Sequence, residues 1–172
     1  MLKIVLIIVT FSFFSLLGYS FSLRYKNRYY FLNQFNKWII LMQNEVIYNH
    51  TPLPEAIKIT SEKTTQVIKN MLEILLVNLR TEGNNGIYSA FEKAYKQSEN
   101  QLYLKKEDIT VISDFIKSLG ATGVYGQDKI FNFALQNIKI NLGEALEESN
   151  KNSKLCRNLG MCIGAMAAIL LI

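Results

Sequence analysis

An uncharged apolar run near the start of the chain constrains the fold more than any other feature. It extends from Ile4 to Leu23, reads IVLIIVTFSFFSLLGYSFSL, and contains no charged residue. Twenty residues of helix rise about 30 Å, which matches the hydrocarbon thickness of a bilayer. The run is longer than the apolar core of a usual signal peptide, and no clean cleavage site follows Gly18. We therefore predict that residues 1–23 form an uncleaved transmembrane helix.

A second uncharged run, from Leu159 to Ile172, lies at the other end of the sequence. Its 14 residues would rise only about 21 Å as a helix, which is short for a full crossing. Residues 155–158 extend it, because the long side chain of Arg157 reaches back to the lipid headgroups. We therefore predict a second transmembrane helix over residues 155–172.

The charges are distributed unevenly, and their placement predicts the orientation. All 14 acidic residues lie between Glu45 and Glu148, where Lys and Arg number only 11. The excess positive charge flanks the two apolar runs, at residues 24–37 and 151–157. Because Lys and Arg next to a span stay on the cytoplasmic side, we expect residues 24–154 to form a cytoplasmic domain. The net acidic charge of residues 45–148, 11 − 14 = −3, does not favour binding of nucleic acid by this domain.

Apolar periodicity predicts that the segment between the two runs is helical, and no segment alternates like a strand. Amphipathic stripes occupy residues 32–46, 87–95, 109–119 and 131–146, and a short helix is predicted at 54–62 with Thr51 as its N-cap. The helix at 64–79 is apolar on nearly every side, so we expect the other helices to cover it. Glycine-rich turns are expected at 83–86 and 120–126.

The residues that could bind a metal are few and scattered. His50 is the only histidine, and it precedes a Thr-Pro turn without a nearby cysteine. Cys156 and Cys162 are six residues apart, which fits no common zinc pattern. We interpret His50 as a turn residue and the two cysteines as small buried apolar residues.

No motif in the sequence indicates a catalytic centre. The glycines at 120–126 lack the Gly-Lys-Ser/Thr of a phosphate-binding loop and better fit the end of a helix. The acidic pairs Glu107-Asp108 and Glu147-Glu148 are adjacent residues, which do not face each other on a helix. We predict that the protein is not an enzyme and binds no cofactor, metal or small-molecule substrate.

Small residues recur every four positions in the second apolar run, at Gly160, Gly164 and Ala168. Such a row lets another membrane helix approach closely. We therefore predict that these three residues pack against a second helix.

One segment of the sequence carries a family resemblance. An amphipathic helix leads into Tyr48–Ala56, which contains His-Thr-Pro-Leu-x-Glu-Ala. Leu119-Gly120, Asp128 and finally Leu159-Gly160 follow at long intervals, and Asn132 stands where a glutamine is expected. With the two-span layout, this pattern resembles the stage III sporulation protein AB family of endospore-forming Firmicutes.

That family is similar to the cytoplasmic domain of the inner-membrane platform proteins of type II secretion and type IV pilus machines. The shared Pro-Leu-x-Glu-Ala stretch is here Pro52, Leu53, Pro54, Glu55 and Ala56. The resemblance implies an all-α protein with a six-helix-type bundle between the two transmembrane helices. It also implies binding to a secretion-type ATPase and to other membrane subunits of a channel between mother cell and forespore.

The apolar runs and their charged flanks predict a multi-pass protein of the cell membrane with a cytoplasmic domain. The resemblance implies that this domain faces the mother-cell cytoplasm and serves as a platform. Its candidate interface is Thr51, Pro52, Leu53, Glu55 and Ala56. Two other classes remain open: a membrane-anchored signalling or adaptor protein, and a membrane-bound hydrolase whose carboxylates converge only in the folded chain.

Overall fold

The computed structural model describes residues 2–81, 86–121 and 126–170. Over these residues the secondary structure is helical, and no strand occurs in them, which confirms the all-α class. The helices are α1 (Leu2–Gln43), α2 (Leu53–Ser61), α3 (Gln66–Thr81), α4 (Gly86–Leu102), α5 (Lys106–Ala121) and α6 (Gln127–Leu170). Most of each predicted glycine-rich turn lies outside the described residues.

The chain divides into two compact units, and α1 and α6 contribute to both. We call residues 1–29 and 143–172 the helix pair, and residues 30–142 the helical domain. The helical domain defined by packing is shorter at both ends than the domain expected from the charges, which extends over residues 24–154. The predicted limits of the two membrane spans themselves remain a prediction.

The helical domain is a six-helix bundle with an aromatic centre. It is built from the second part of α1, the four helices α2–α5 and the first part of α6. Trp38 of α1 is fully buried, and its ring lies edge-on to Phe115 of α5, which in turn packs edge-on against Phe131 of α6. The indole Nε1 donates a hydrogen bond of 3.1 Å to Thr60 Oγ1 of α2. One residue therefore ties α2 and α5 to α1, and its polar atom is satisfied as burial requires.

Helix α3 is more amphipathic than the sequence suggested. Leu72, Leu75 and Leu76 are buried, but Val77 is 59% exposed and Glu73 faces solvent. The expectation that other helices cover α3 on all sides is therefore wrong for one face. A stripe one face wide is sufficient for a helix that packs on the outside of a bundle.

The helix pair carries most of the exposed apolar surface. Among the described residues, one helix is long and apolar enough to cross a membrane; it begins at Val5, and its most apolar 18-residue window has a mean hydropathy of 1.9. Only 11% of that window is buried within the protein. A core helix of a water-soluble domain would be mostly buried, so the length, composition and exposure of this helix make it a candidate membrane span.

Candidate functional site

The candidate interface follows a local distortion at the end of α1. Residues Asn44–Tyr48 form a single π-helical turn, and the N–H of Asn49 donates to the carbonyl of Asn44 at 3.1 Å. His50 then has a φ of 53°, in the left-handed region, which reverses the chain toward α2. Short π-helical turns inside or after α-helices are rare and are frequently found at functional sites.

Glu45 fastens this turn to the start of α2. Its Oε2 accepts hydrogen bonds from the Asn49 side-chain amide at 3.0 Å and from Thr51 Oγ1 at 3.1 Å. Its backbone carbonyl also accepts the Thr51 N–H at 2.9 Å. The pKa of Glu45 is lowered below its ordinary value, and the hydrogen bond from Asn49 is the largest cause. The hydrogen bond from Thr51 and the positive charge of Lys63 lower the pKa further.

Thr51 is therefore not the N-cap of α2, as the sequence analysis expected. Pro52 occupies that position, with φ −55° and ψ 141°, and no side chain caps the helix. The Thr51 hydroxyl is directed back to Glu45 instead. Two prolines reduce the need for a cap, because Pro52 supplies the extended geometry that precedes a helix and Pro54 has no N–H to satisfy.

The remaining predicted interface residues are split between core and surface. Ala56 is fully buried and its N–H donates to the Pro52 carbonyl, so it is a packing residue and cannot contact a partner. Leu53 is half-buried, whereas Pro52 and Glu55 are exposed. The exposed part of the motif is therefore Pro52 and Glu55, and Thr51 and Leu53 are half-buried.

Glu55 borders a surface recess of about 490 Å³ between α2 and the end of α3. The lining residues are Pro54, Glu55, Lys58, Ile59, Glu62 and Arg80. Glu55 makes no hydrogen bond or ion pair with any residue that the structure describes. Its carboxylate lies in the first turn of α2, where the helix dipole favours a negative charge.

The helix pair explains the row of small residues. A Cβ built on Gly160 would lie 2.8 Å from Cα of Gly18 and 2.9 Å from the carbonyl oxygen of Phe14. A Cβ on Gly164 would lie 3.1 Å from the carbonyl oxygen of Phe11. The first apolar run of the same chain therefore packs directly against these two glycines. Ala168, the third residue of the row, is half-buried.

Polar contacts also join the two helices of the pair. Ser22 and Ser153 share a buried hydrogen bond of 2.5 Å, and Arg28 donates to Glu148 at 2.8 Å while only 3% of Arg28 is exposed. As numbers rise along α1 they fall along α6, so the two helices are antiparallel. No sequence pattern predicted these contacts or the role of Gly18, whose isolated position in an apolar run was the available signal.

The described residues show no arrangement for binding a metal ion. No group of three His, Cys, Asp or Glu side chains among them is placed to hold one. Cys156 is half-buried and Cys162 is exposed, so the expectation that both are buried within the chain is wrong. Both lie on α6, in its part that belongs to the helix pair.

Comparison with known proteins agrees with this architecture. The family model described as stage III sporulation protein AB matches residues 3–172, which is almost the whole chain. The chain belongs to the stage III sporulation protein AB family. A curated relative, stage III sporulation protein AB of Bacillus subtilis (strain 168), is 25% identical over 154 residues, which are 90% of each chain.

A solved structure of a stage III sporulation protein AB has the same fold. It is 23% identical, with a TM-score of 0.64, and the match covers 72% of this chain and 96% of the solved one. The resemblance inferred from the turn motif and the two apolar runs is therefore confirmed. Membership of the family identifies the chain as a sporulation protein.

Proposed function

We propose that this member of the family is a non-enzymatic platform subunit that couples a secretion-type ATPase in the mother-cell cytoplasm to other membrane subunits of a channel complex. Two properties support the proposal: an apolar helix pair suited to a bilayer, and a helical domain that presents a rigidly held polar segment. The observation that carries it is Glu55, an exposed carboxylate that has no hydrogen bond or ion pair with a described residue and lies in the first turn of α2, after the turn that Glu45 fastens.

The helix pair supports the multi-pass part of the proposal. Gly160 and Gly164 lie against Gly18 and Phe11, so the second apolar run lies beside the first one. If residues 4–23 cross the bilayer, an antiparallel neighbour in this register lies at the same depth. The short second run then spans as one half of a helical hairpin, with the close glycine contact replacing lipid contact. The Arg28–Glu148 pair lies beyond the apolar section, where a charge is tolerated.

The helical domain supports a role in contacts and not in chemistry. The Thr51 and Asn49 hydrogen bonds to Glu45 hold the turn in one conformation, which reduces the entropy lost when a partner binds. An exposed carboxylate in such a position gives a specific contact to a cationic group of a partner. The partner that we propose is the ATPase, because the segment belongs to the cytoplasmic domain.

The variant Glu55→Gln tests this proposal, since it keeps the size of the side chain and removes the charge. The matched control is Glu107→Gln, because Glu107 is also exposed and lies in the first turn of its own helix, α5. Both variants lose the same interaction with a helix dipole, about 0.3–1 kcal/mol. We expect both proteins to accumulate in the membrane, but only Glu55→Gln to reduce spore formation. Equal spore formation in the two variants would reduce Glu55 to a residue that favours the start of α2.

A further inference from the structure

An apolar groove lies between α5 and α6 in the helical domain, away from the turn that carries Glu55. Its volume is about 640 Å³. Apolar residues form most of its lining, together with four polar residues: Val111, Asp114, Phe115, Ser118, Lys129, Ile130, Phe133, Ala134 and Asn137. Both walls belong to the same compact unit.

An aromatic ring projects from the wall of this groove. Phe133 lines the groove and yet is 66% exposed, and Ile140, two turns further along α6, is 62% exposed. A phenylalanine normally buries most of its large apolar surface. The face therefore combines a cavity with an exposed apolar side chain at it, a combination that favours docking of another protein surface.

Opposite charges lie on the two walls. Asp114 is on α5 and Lys129 is on α6, and both are exposed. Neither makes a hydrogen bond or an ion pair with a described residue, and they do not pair with each other. Each charge is thus available to a group outside the chain.

We propose that this face docks a second copy of the same chain around a two-fold axis. A two-fold rotation places the same face of the two copies against each other, with α5 of each copy opposite α6 of the other. Phe133 of each copy then enters the groove of the other. The same rotation brings Asp114 of each copy to Lys129 of the other, which gives two ion pairs. A second copy fits better than a foreign partner because this one face carries both the projecting ring and the cavity, and both charge signs. This inference does not depend on the ATPase or on channel assembly.

The charges provide a test that only the two-fold arrangement passes. Asp114→Lys and Lys129→Asp each place two like-charged contacts in the dimer, so each variant alone should associate at least about tenfold more weakly. A mixture of the two variants restores two opposite pairs and should form a heterodimer as readily as the parent. Association of the full-length protein is measured in detergent and in vesicles by energy transfer between donor-labelled and acceptor-labelled copies.

Two further variants complete the experiment. Lys139→Asp changes an exposed charge of α6 that does not line the groove, and it should leave association unchanged. Phe133→Ala should weaken association and leave the fold intact, because the ring is mostly exposed. Since mixing cannot rescue two unfolded proteins, recovery in the mixture also excludes misfolding as the cause.

The proposal is overturned by any of four results. The first is a parent protein that is monomeric at every concentration in both media. The second is association of the single variants like the parent. The third is a mixture that stays dissociated. The fourth is recovery only in the double variant Asp114→Lys/Lys129→Asp and not in the mixture, which would mean that the two charges act within one copy.

Discussion

Gly18 and Gly160 pack so closely that a Cβ added to either residue would lie 2.8 Å from the Cα of the other. Both neighbours are backbone atoms on helices, which cannot move aside without shifting a whole helix. The contact joins the two apolar runs of the chain, so it makes the helix pair testable by substitution.

We predict that Gly160→Leu separates the helix pair, whereas Gly143→Leu does not. Gly143 lies on the same helix, and a Cβ there would meet nothing within 4 Å. Overpacking a closed contact costs about 1–3 kcal/mol. The separation is measured by disulfide formation in Ser22→Cys/Ser153→Cys, with both native cysteines replaced by serine, because these two hydroxyls are 2.5 Å apart.

Rapid disulfide formation is expected in the parent background and with Gly143→Leu, and slow formation with Gly160→Leu. If Gly160→Leu cross-links as fast as the parent, the two apolar runs do not pack through this contact.

The core assignment predicts opposite outcomes for two neighbouring positions of α3. Leu75→Asp should unfold the helical domain, because Leu75 is fully buried and an unpaired buried carboxylate costs several kcal/mol of a total stability of about 5–15. Val77→Asp is the control, since Val77 is mostly exposed. The fluorescence of Trp38, the only tryptophan, reports unfolding. A Leu75→Asp protein that melts like Val77→Asp would contradict the assignment.

The pKa of Glu45 predicts a dependence of stability on acid. Hydrogen bonds from Asn49 and Thr51 lower the folded-state pKa below 4.5, so the unfolded chain takes up a proton first as the pH falls. The contribution of Glu45 is therefore fully present above pH 4.5 and is lost as the pH falls through the lowered folded value. Glu45→Gln should remove the part of the stability loss in acid that comes from protonation of Glu45.

The measurement is urea unfolding of parent and variant across this pH range, followed by Trp38 fluorescence. Glu107→Gln serves as the control for removal of one carboxylate. The interpretation of the Glu45 turn fails if Glu45→Gln and the parent lose the same stability on acidification.

The basic residues that flank both runs predict the orientation of the helical domain. A reporter enzyme that is active only outside the cytoplasmic membrane, inserted near Asn100 in the last turn of α4, should be silent. A cytoplasmic reporter at the same site should be active. High activity of the first reporter would place the domain on the other side.

Sequence patterns were sufficient to predict the helices and to identify the family, because both predictions depend on local signals. The three- and four-residue spacing of Trp38, Phe115 and Phe131 with their apolar neighbours predicts amphipathic helices, and these rings form the centre of the bundle. The turn motif at 50–56 carried the resemblance that the family model confirms.

Other features depend on contacts that no local pattern encodes. Thr51 has the composition of an N-cap, but the π-helical turn before it brings Glu45 within reach and takes its hydroxyl. The apolar count of α3 did not indicate which side is left exposed at Val77. The row Gly160–Gly164–Ala168 indicated a close helix contact, but Gly18 became its counterpart only once the register of the two helices was known.

The most direct test of the platform role is recovery of the intact protein from membranes of sporulating cells, with its partners identified by mass spectrometry. The account predicts that a secretion-type ATPase and other membrane subunits are recovered with the parent and with Glu107→Gln. With Glu55→Gln, which should be equally abundant in the membrane, the ATPase should be lost. Recovery of the parent without any ATPase, at normal abundance in the membrane, would contradict the proposed function.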